Sequence, residues 1–400
     1  MHAVNIVARV VGPCLHGLHA KRAAACQRAV VAVVLGAALS LSAIALGVRS
    51  VTGYRHRVKS VDRLLGNGAL HVVRAELYAA LAARWLTGVR QLLLVIDWSD
   101  LTPDQRWHWL RASVAVEGRS VTLYEEVHPQ RRLGNLKVHR QFLARVAELL
   151  PPGCEPIVMT DAGFHSTWFK AVSAHGWAFI GRIRGRDMVQ RGAGPWIRGT
   201  ALYGQATEQA RDLGPHAYVR RNPIEVRLAL VKLPARGRHR LNIYGHRRAS
   251  RTSRKCARAA RDPWLLAASR RLDHLTAHTI VQLYAQRMRI EQSFRDTKNL
   301  RLGQGLHTTR SRTRERLQML LLIGHLAAFV QRLIGEAAKA HQLELNFMAT
   351  HRRTRPEISA LTLARRILQS VSPSDWLDRL APWAAIPPLR IQAINAYASA

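Results

Sequence analysis

Cysteine is scarce in this chain, and so is negative charge. Four cysteines occur in 400 residues (Cys14, Cys26, Cys154 and Cys256), none in a C-x-x-C pair. That argues against a disulfide framework and for a reduced, cytosolic setting. The spacing of Cys14, His16, His19 and Cys26 fits no common zinc finger, so no metal site is expected among them. Aspartate and glutamate number 25 against 61 lysines and arginines, a formal net charge of +36 with a pI near 11.6. Basic residues recur along most of the chain rather than in one tail. Such an imbalance requires a polyanionic partner, and nucleic acid answers it better than an acidic membrane surface.

Residues 1–28 are basic and read as irregular. The next twenty, 29–48, carry no charge and lie between Arg28 and Arg49, long enough to span a bilayer. They are built from Ala, Gly, Val and Ser more than from Leu and Phe, and the run stands alone. A buried helix or helix pair of an N-terminal domain is the preferred reading, with a membrane anchor or a signal peptide as rivals. Residues 49–65 then gather Arg49, Arg55, Arg57, Lys59 and Arg63, a cluster suited to neutralising phosphates. An amphipathic helix over 70–88 closes this unit near residue 90.

The centre alternates strands and helices. QLLLVID (91–97) is an apolar run ending in Asp97, and PIVMTD (156–161) is a second, ending in Asp161. Between them LRASVAV (110–116) and SVTLYEEV (120–127) form a hairpin about Glu117-Gly118-Arg119, and LKVHRQFLARVAELL (136–150) is helical up to Pro151. A short helix over 166–175 leads to the strand WAFIGRI (177–183). That order is what a ribonuclease-H-like fold requires: its first and fourth strands are neighbours, so acids at both ends share one site and a later helix supplies the third. Asp100 competes with Asp97 but reads as loop or helix start; His165, Glu125 and Glu126 are weaker neighbours. Strands at 226–233 and 240–245 mark a β-rich insertion before that helix, and its arginine-dense tract from Arg236 to Arg261 reads as a DNA-facing surface.

The stretch YAQRMRIEQSFRDTK (284–298) supplies the third acid. At about 100° per residue, Tyr284, Arg287, Glu291 and Lys298 point to roughly 0°, 300°, 340° and 320°, one face of a single helix. Their spacing, Y-(2)-R-(3)-E-(6)-K, resembles the signature of the insertion-sequence-4 family of DDE transposases, and the DWSDLT and TDAGFHS segments at Asp97 and Asp161 look like that family's two aspartate regions. The resemblance covers about residues 50–335. It implies an α/β, ribonuclease-H-like catalytic core with a β-rich insertion, flanked by N-terminal and C-terminal helical regions. Asp97, Asp161 and Glu291 would hold two magnesium ions, with manganese as a substitute, for phosphodiester hydrolysis and strand transfer. Lys298, Arg287 and Tyr284 would contact phosphates, and Trp264 would receive a base turned out of the stack.

The expected divisions are 1–90 (helical, DNA-binding through Arg55, Arg57 and Lys59), 91–184 (first part of the core), 185–262 (basic β-rich insertion), 263–335 (catalytic helix and rest of the core) and 336–400 (helical, for dimerisation). Within 314–383, the second half of the helix at 314–340 and residues 356–383 are candidates for a partner helix. The implied partners are double-stranded DNA, as transposon ends and target, and a second copy of the chain, with no membrane. The implied location is the bacterial cytoplasm, in association with the nucleoid. A DNA-binding protein without catalysis and another ribonuclease-H-like nuclease are the alternatives.

Overall fold

The computed structural model describes residues 3–234, 246–247, 249–251, 254, 262–301, 303–348 and 358–380. The strand expected at 240–245 and most of the basic tract 236–261 lie outside the described residues.

Six helices come first: α1 (Ala3–Val11), α2 (Ala20–Val34), α3 (Leu41–Gly47), α4 (Tyr54–Leu65), α5 (Gly68–Val72) and α6 (Arg74–Trp85). The leader is therefore helical rather than irregular. Ile6, Val7, Val10 and Val11 fall on one helical stripe and are buried, which gives α1 a face to pack. The apolar run 29–48 is two helices, the end of α2 and all of α3. The chain turns between them at Gly36 (φ 111°), and the Ser40 hydroxyl starts α3 by accepting the Ala43 N–H.

The sheet begins with β1 (Gln91–Asp100), β2 (Trp107–Val116) and β3 (Arg119–Pro129). Gly118, at φ 70°, closes the β2–β3 turn in the left-handed region where a glycine is unstrained. Helix α7 (Leu136–Leu149) is capped by Asn135 and leads to β4 (Glu155–Thr160), α8 (Ser166–Ala174) and β5 (Ala178–Arg182). β4 runs parallel to β1 and to β5, while β2 and β3 are antiparallel. β1 also continues three residues past Asp97, to Asp100, because Trp98, Ser99 and Asp100 remain paired with Leu110, Trp109 and His108 of β2.

The β-rich segment continues the same sheet. Strands β6 (Met188–Gln190), β7 (Ile197–Arg198), β8 (Arg211–Tyr218), β9 (Ile224–Val231) and β10 (Trp264–Ala268) follow, and β10 pairs with both β5 and β9. The ten strands run in the order β3-β2-β1-β4-β5-β10-β9-β8-β6-β7.

Helices α9 (Ala277–Ala285) and α10 (Met288–Lys298) replace the single helix expected over 284–298. The N–H groups of Arg287, Arg289 and Ile290 donate to the Tyr284, Gln286 and Arg287 carbonyls, a tightened turn at the junction. Helix α11 (Arg314–Ala340) is the one described helix long and apolar enough to cross a membrane, and 94% of its most apolar window is buried inside the protein. Its second half packs on α12 (Ala360–Leu368), where Gly335 lies so close that a Cβ would stand 1.9 Å from the Ala360 carbonyl oxygen. Helix α13 (Pro373–Arg379) ends the described chain.

Candidate active site

Strand register brings two acids together. Val95 of β1 lies opposite Met159 of the parallel β4, and Asp97 and Asp161 each follow two residues later, on the same side of the sheet. Asp97 is nearly buried, and its carboxylate accepts the Trp98 N–H at 2.8 Å and Arg287 Nη1 at 3.0 Å. Asp161 stands one residue past β4 in a tight turn, where its Oδ1 accepts the Gly163 N–H at 2.7 Å. A Cβ on Gly163 would come within 2.8 Å of that oxygen. Glu291 enters from the first turn of α10 and accepts Arg287 Nη2 at 2.7 Å. Arg287 therefore bridges the acid of the strand and the acid of the helix.

Asp97, Asp161 and Glu291 line one open cavity of about 500 Å³, together with Arg287, Lys298 and Ser99. Burial, then the neighbouring Asp161, push the Asp97 acid up to about 8; Arg287 opposes the rise and Glu291 adds to it. Carboxylates crowd here beyond what one guanidinium offsets. Arg287 itself is held firmly protonated: burial pulls its pKa down, but the Tyr284, Asp97 and Glu291 groups outweigh it. Lys298 Nζ donates to Ser99 Oγ at 2.7 Å, and burial, eased by Asp100, brings its ammonium down to about 8.

The other expected site residues divide. Tyr284 is buried, 3% exposed; its ring meets Trp264 edge to face at 5.1 Å, and burial raises its phenol to about 12. It sits on α9, buried, and within electrostatic range of Arg287, Asp161 and Asp97. Trp264, on β10, is half-buried against it. On α4, Arg55 and Lys59 are exposed, but Arg57 turns back to donate to the Leu46 and Val48 carbonyls at 3.4 and 2.9 Å. Arg57 and Arg49 line a separate groove of about 590 Å³.

None of the weaker neighbours lines the cavity. Asp100 is exposed, 3.3 Å from His108. Glu126 holds His128 at 2.8 Å, His165 is exposed at the start of α8, and Glu125 is wholly buried beneath α10. Sequence reading missed three lining residues that carried a signal. Ser99 follows Asp97 by two on the same strand face, Arg295 follows Glu291 by four on the helix, and Asn299 caps its C-terminal end.

A mixed α/β sheet that gathers three carboxylates, an arginine and a lysine around one open cavity is organised as an enzyme site for an anionic substrate. Comparison with protein families places the chain more narrowly. The Transposase DDE domain matches residues 89–329, more than half the chain, and the protein belongs to that family. No curated protein matches the sequence. Family membership makes the protein a transposase acting on DNA, of a class that uses divalent metal ions.

Proposed function

We propose that the protein is a transposase of the insertion-sequence-4 type, which cuts the ends of its element and joins them to target DNA. The observation that carries this is the meeting of Asp97, Asp161 and Glu291 around one cavity, in register with Arg287 and Lys298. The core is read as ribonuclease-H-like: its first five strands stand in the order β3-β2-β1-β4-β5, with β2 alone antiparallel to both its neighbours in that row.

Among the described residues no three carboxylates, histidines or cysteines are grouped tightly enough to grip an ion as they stand, because Arg287 lies between Asp97 and Glu291. The donor set nonetheless fits hard cations. It is all carboxylate oxygen, which suits magnesium or manganese and not zinc, and the crowding that raises the Asp97 acid is relieved by added positive charge. Asp97, Asp161 and Glu291 would hold the ions. The chemistry two such ions supply is activation of a nucleophile and neutralisation of charge on the phosphodiester and its leaving oxygen. Around them Lys298 presents an ammonium to a phosphate, Arg287 presents a two-pronged donor once released from its carboxylates, and Ser99 holds Lys298 in place.

The exposed Arg55 and Lys59 of the N-terminal helical region contribute to DNA binding, and the half-buried Trp264 is the ring assigned to an extruded base. Residues 91–184 and 263–335 act as the core, 185–262 as its β-rich insertion and 336–400 as a helical extension. Pairing of two element ends calls for a dimer on DNA, and the proposed location is the bacterial cytoplasm, with the nucleoid. The Arg287 bridge also fits a DNA-binding descendant without catalysis.

The decisive experiment is cleavage of a labelled duplex carrying the DNA that flanks the gene, under magnesium or manganese, by wild type and Glu291→Gln. Cutting at the element end by wild type alone is expected. Binding without cutting by wild type would refute catalysis and leave the DNA-binding reading.

A further inference from the structure

Asp97, Arg111 and Glu125 lie directly opposite one another on β1, β2 and β3, so their side chains leave the same face of the sheet. Helix α10 crosses that face. Arg111, 3% exposed, donates from Nε to Glu125 Oε2 at 2.8 Å, from Nη1 to Ser293 Oγ at 2.5 Å and from Nη2 to Thr297 Oγ1 at 3.4 Å. Its guanidinium sits 4.0 Å over the Trp109 ring. Glu125 is saturated in turn by Trp109 Nε1 at 2.7 Å and the Tyr78 hydroxyl at 2.9 Å.

A helix resting on a sheet is ordinarily seated on apolar side chains. A buried ion pair in that position adds little or nothing to stability compared with well-packed hydrophobic residues, but it imposes directional contacts. Here those contacts end on Ser293 and Thr297, which lie between Glu291 and Lys298 on the helix. We infer that Arg111, clamped by Glu125, is a positioning residue: it sets the height and rotation of α10 on the sheet, and so aims Glu291 and Lys298 at Asp97. The inference rests on the reading of Asp97, Asp161 and Glu291 as metal-holding acids.

The test is the double variant Ser293→Ala/Thr297→Val, which removes the contacts on α10 while leaving the Arg111–Glu125 pair intact. Manganese affinity is read by electron paramagnetic resonance titration, DNA affinity by gel shift, and kcat and KM by duplex cleavage. The expected result is a loss of about 10- to 100-fold in manganese affinity and in kcat, with KM and DNA affinity close to wild type. Arg111→Lys, which keeps the charge for Glu125 but cannot span both hydroxyls, is expected to show the same split. A variant that melts earlier yet keeps wild-type manganese affinity and kcat makes the strut merely structural and overturns the inference. Wild-type protein that binds no manganese overturns the metal-site reading and this one together, whereas wild-type binding beside an unchanged variant overturns this one alone.

Discussion

Replacing Asp97 with asparagine should stabilise the metal-free protein while abolishing its chemistry. Asp97 keeps its proton up to about pH 8, against 3.8 for the free side chain. A difference of about four units, at about 1.4 kcal/mol each, is on the order of 5 kcal/mol held against folding once the group is ionised. Asparagine has the same shape without the charge, but it forgoes the charge-assisted bond to Arg287, worth about 2 kcal/mol. Roughly 3 kcal/mol of net gain remains above pH 8. In a chain of this size that is a rise of about 4 °C in Tm.

The sign follows from the raised folded-state pKa: the proton's contribution is complete below 3.8 and is lost as pH climbs through 8. Thermal or urea unfolding in EDTA from pH 5 to 9 should therefore show wild type weakening relative to Asp97→Asn as pH rises. Magnesium at pH 8.5 should restore wild type and leave the variant nearly unmoved. Wild-type stability that is flat from pH 5 to 9, or an Asp97→Asn protein less stable than wild type at pH 8.5 in EDTA, would refute the reasoning.

Three further outcomes are expected. The Lys298 ammonium, present below about pH 8 and lost above it, should make cleavage fall as pH rises from 7.5 to 9.5, and Lys298→Arg should remove that decline from the pH–rate profile. Gly335→Ala should force α11 and α12 apart, since its methyl would meet the Ala360 carbonyl; a loss of about 1 to 3 kcal/mol in urea unfolding is expected. Arg55→Ala and Lys59→Ala should each weaken DNA binding and lower its log–log salt slope by about 0.9. Arg57→Ala, which removes the ties to Leu46 and Val48, should instead lower the melting temperature with the slope unchanged.

The two aspartates were legible because each closes an apolar run long enough to be a buried strand, and the intervening hairpin and helix forced β4 to run parallel to β1. The helix bearing Glu291 was legible in position but not in shape. Nothing between Tyr284 and Lys298 is a glycine or proline, so local pattern predicts one helix; the break falls at Gln286-Arg287, where Arg287 also makes a long-range bond to Asp97 of β1. The pairing of Arg111 with Glu125 carried no signal either. A charged pair in neighbouring strands reads as solvated, and only the cross-strand register and the helix laid over it reveal burial. The β-rich segment was visible as strands, but its union with the main sheet depends on β10, five residues far along the chain.

The offset of two residues from Val95 to Asp97 and from Met159 to Asp161 divides the gene into tolerant and intolerant lengths. The β2–β3 turn and the loops flanking α7 can grow or shrink, since they alter neither the β1–β2–β3 register nor the pairing of β4 along the other edge of β1. A single residue inserted between Val95 and Asp97, or between Met159 and Asp161, would turn one carboxylate to the opposite face of the sheet. Copies of such a gene that have drifted should therefore accumulate insertions in the hairpin turn and around α7 long before any appear at these two one-residue spacers, Ile96 and Thr160, and a copy with one there is dead whatever its catalytic residues.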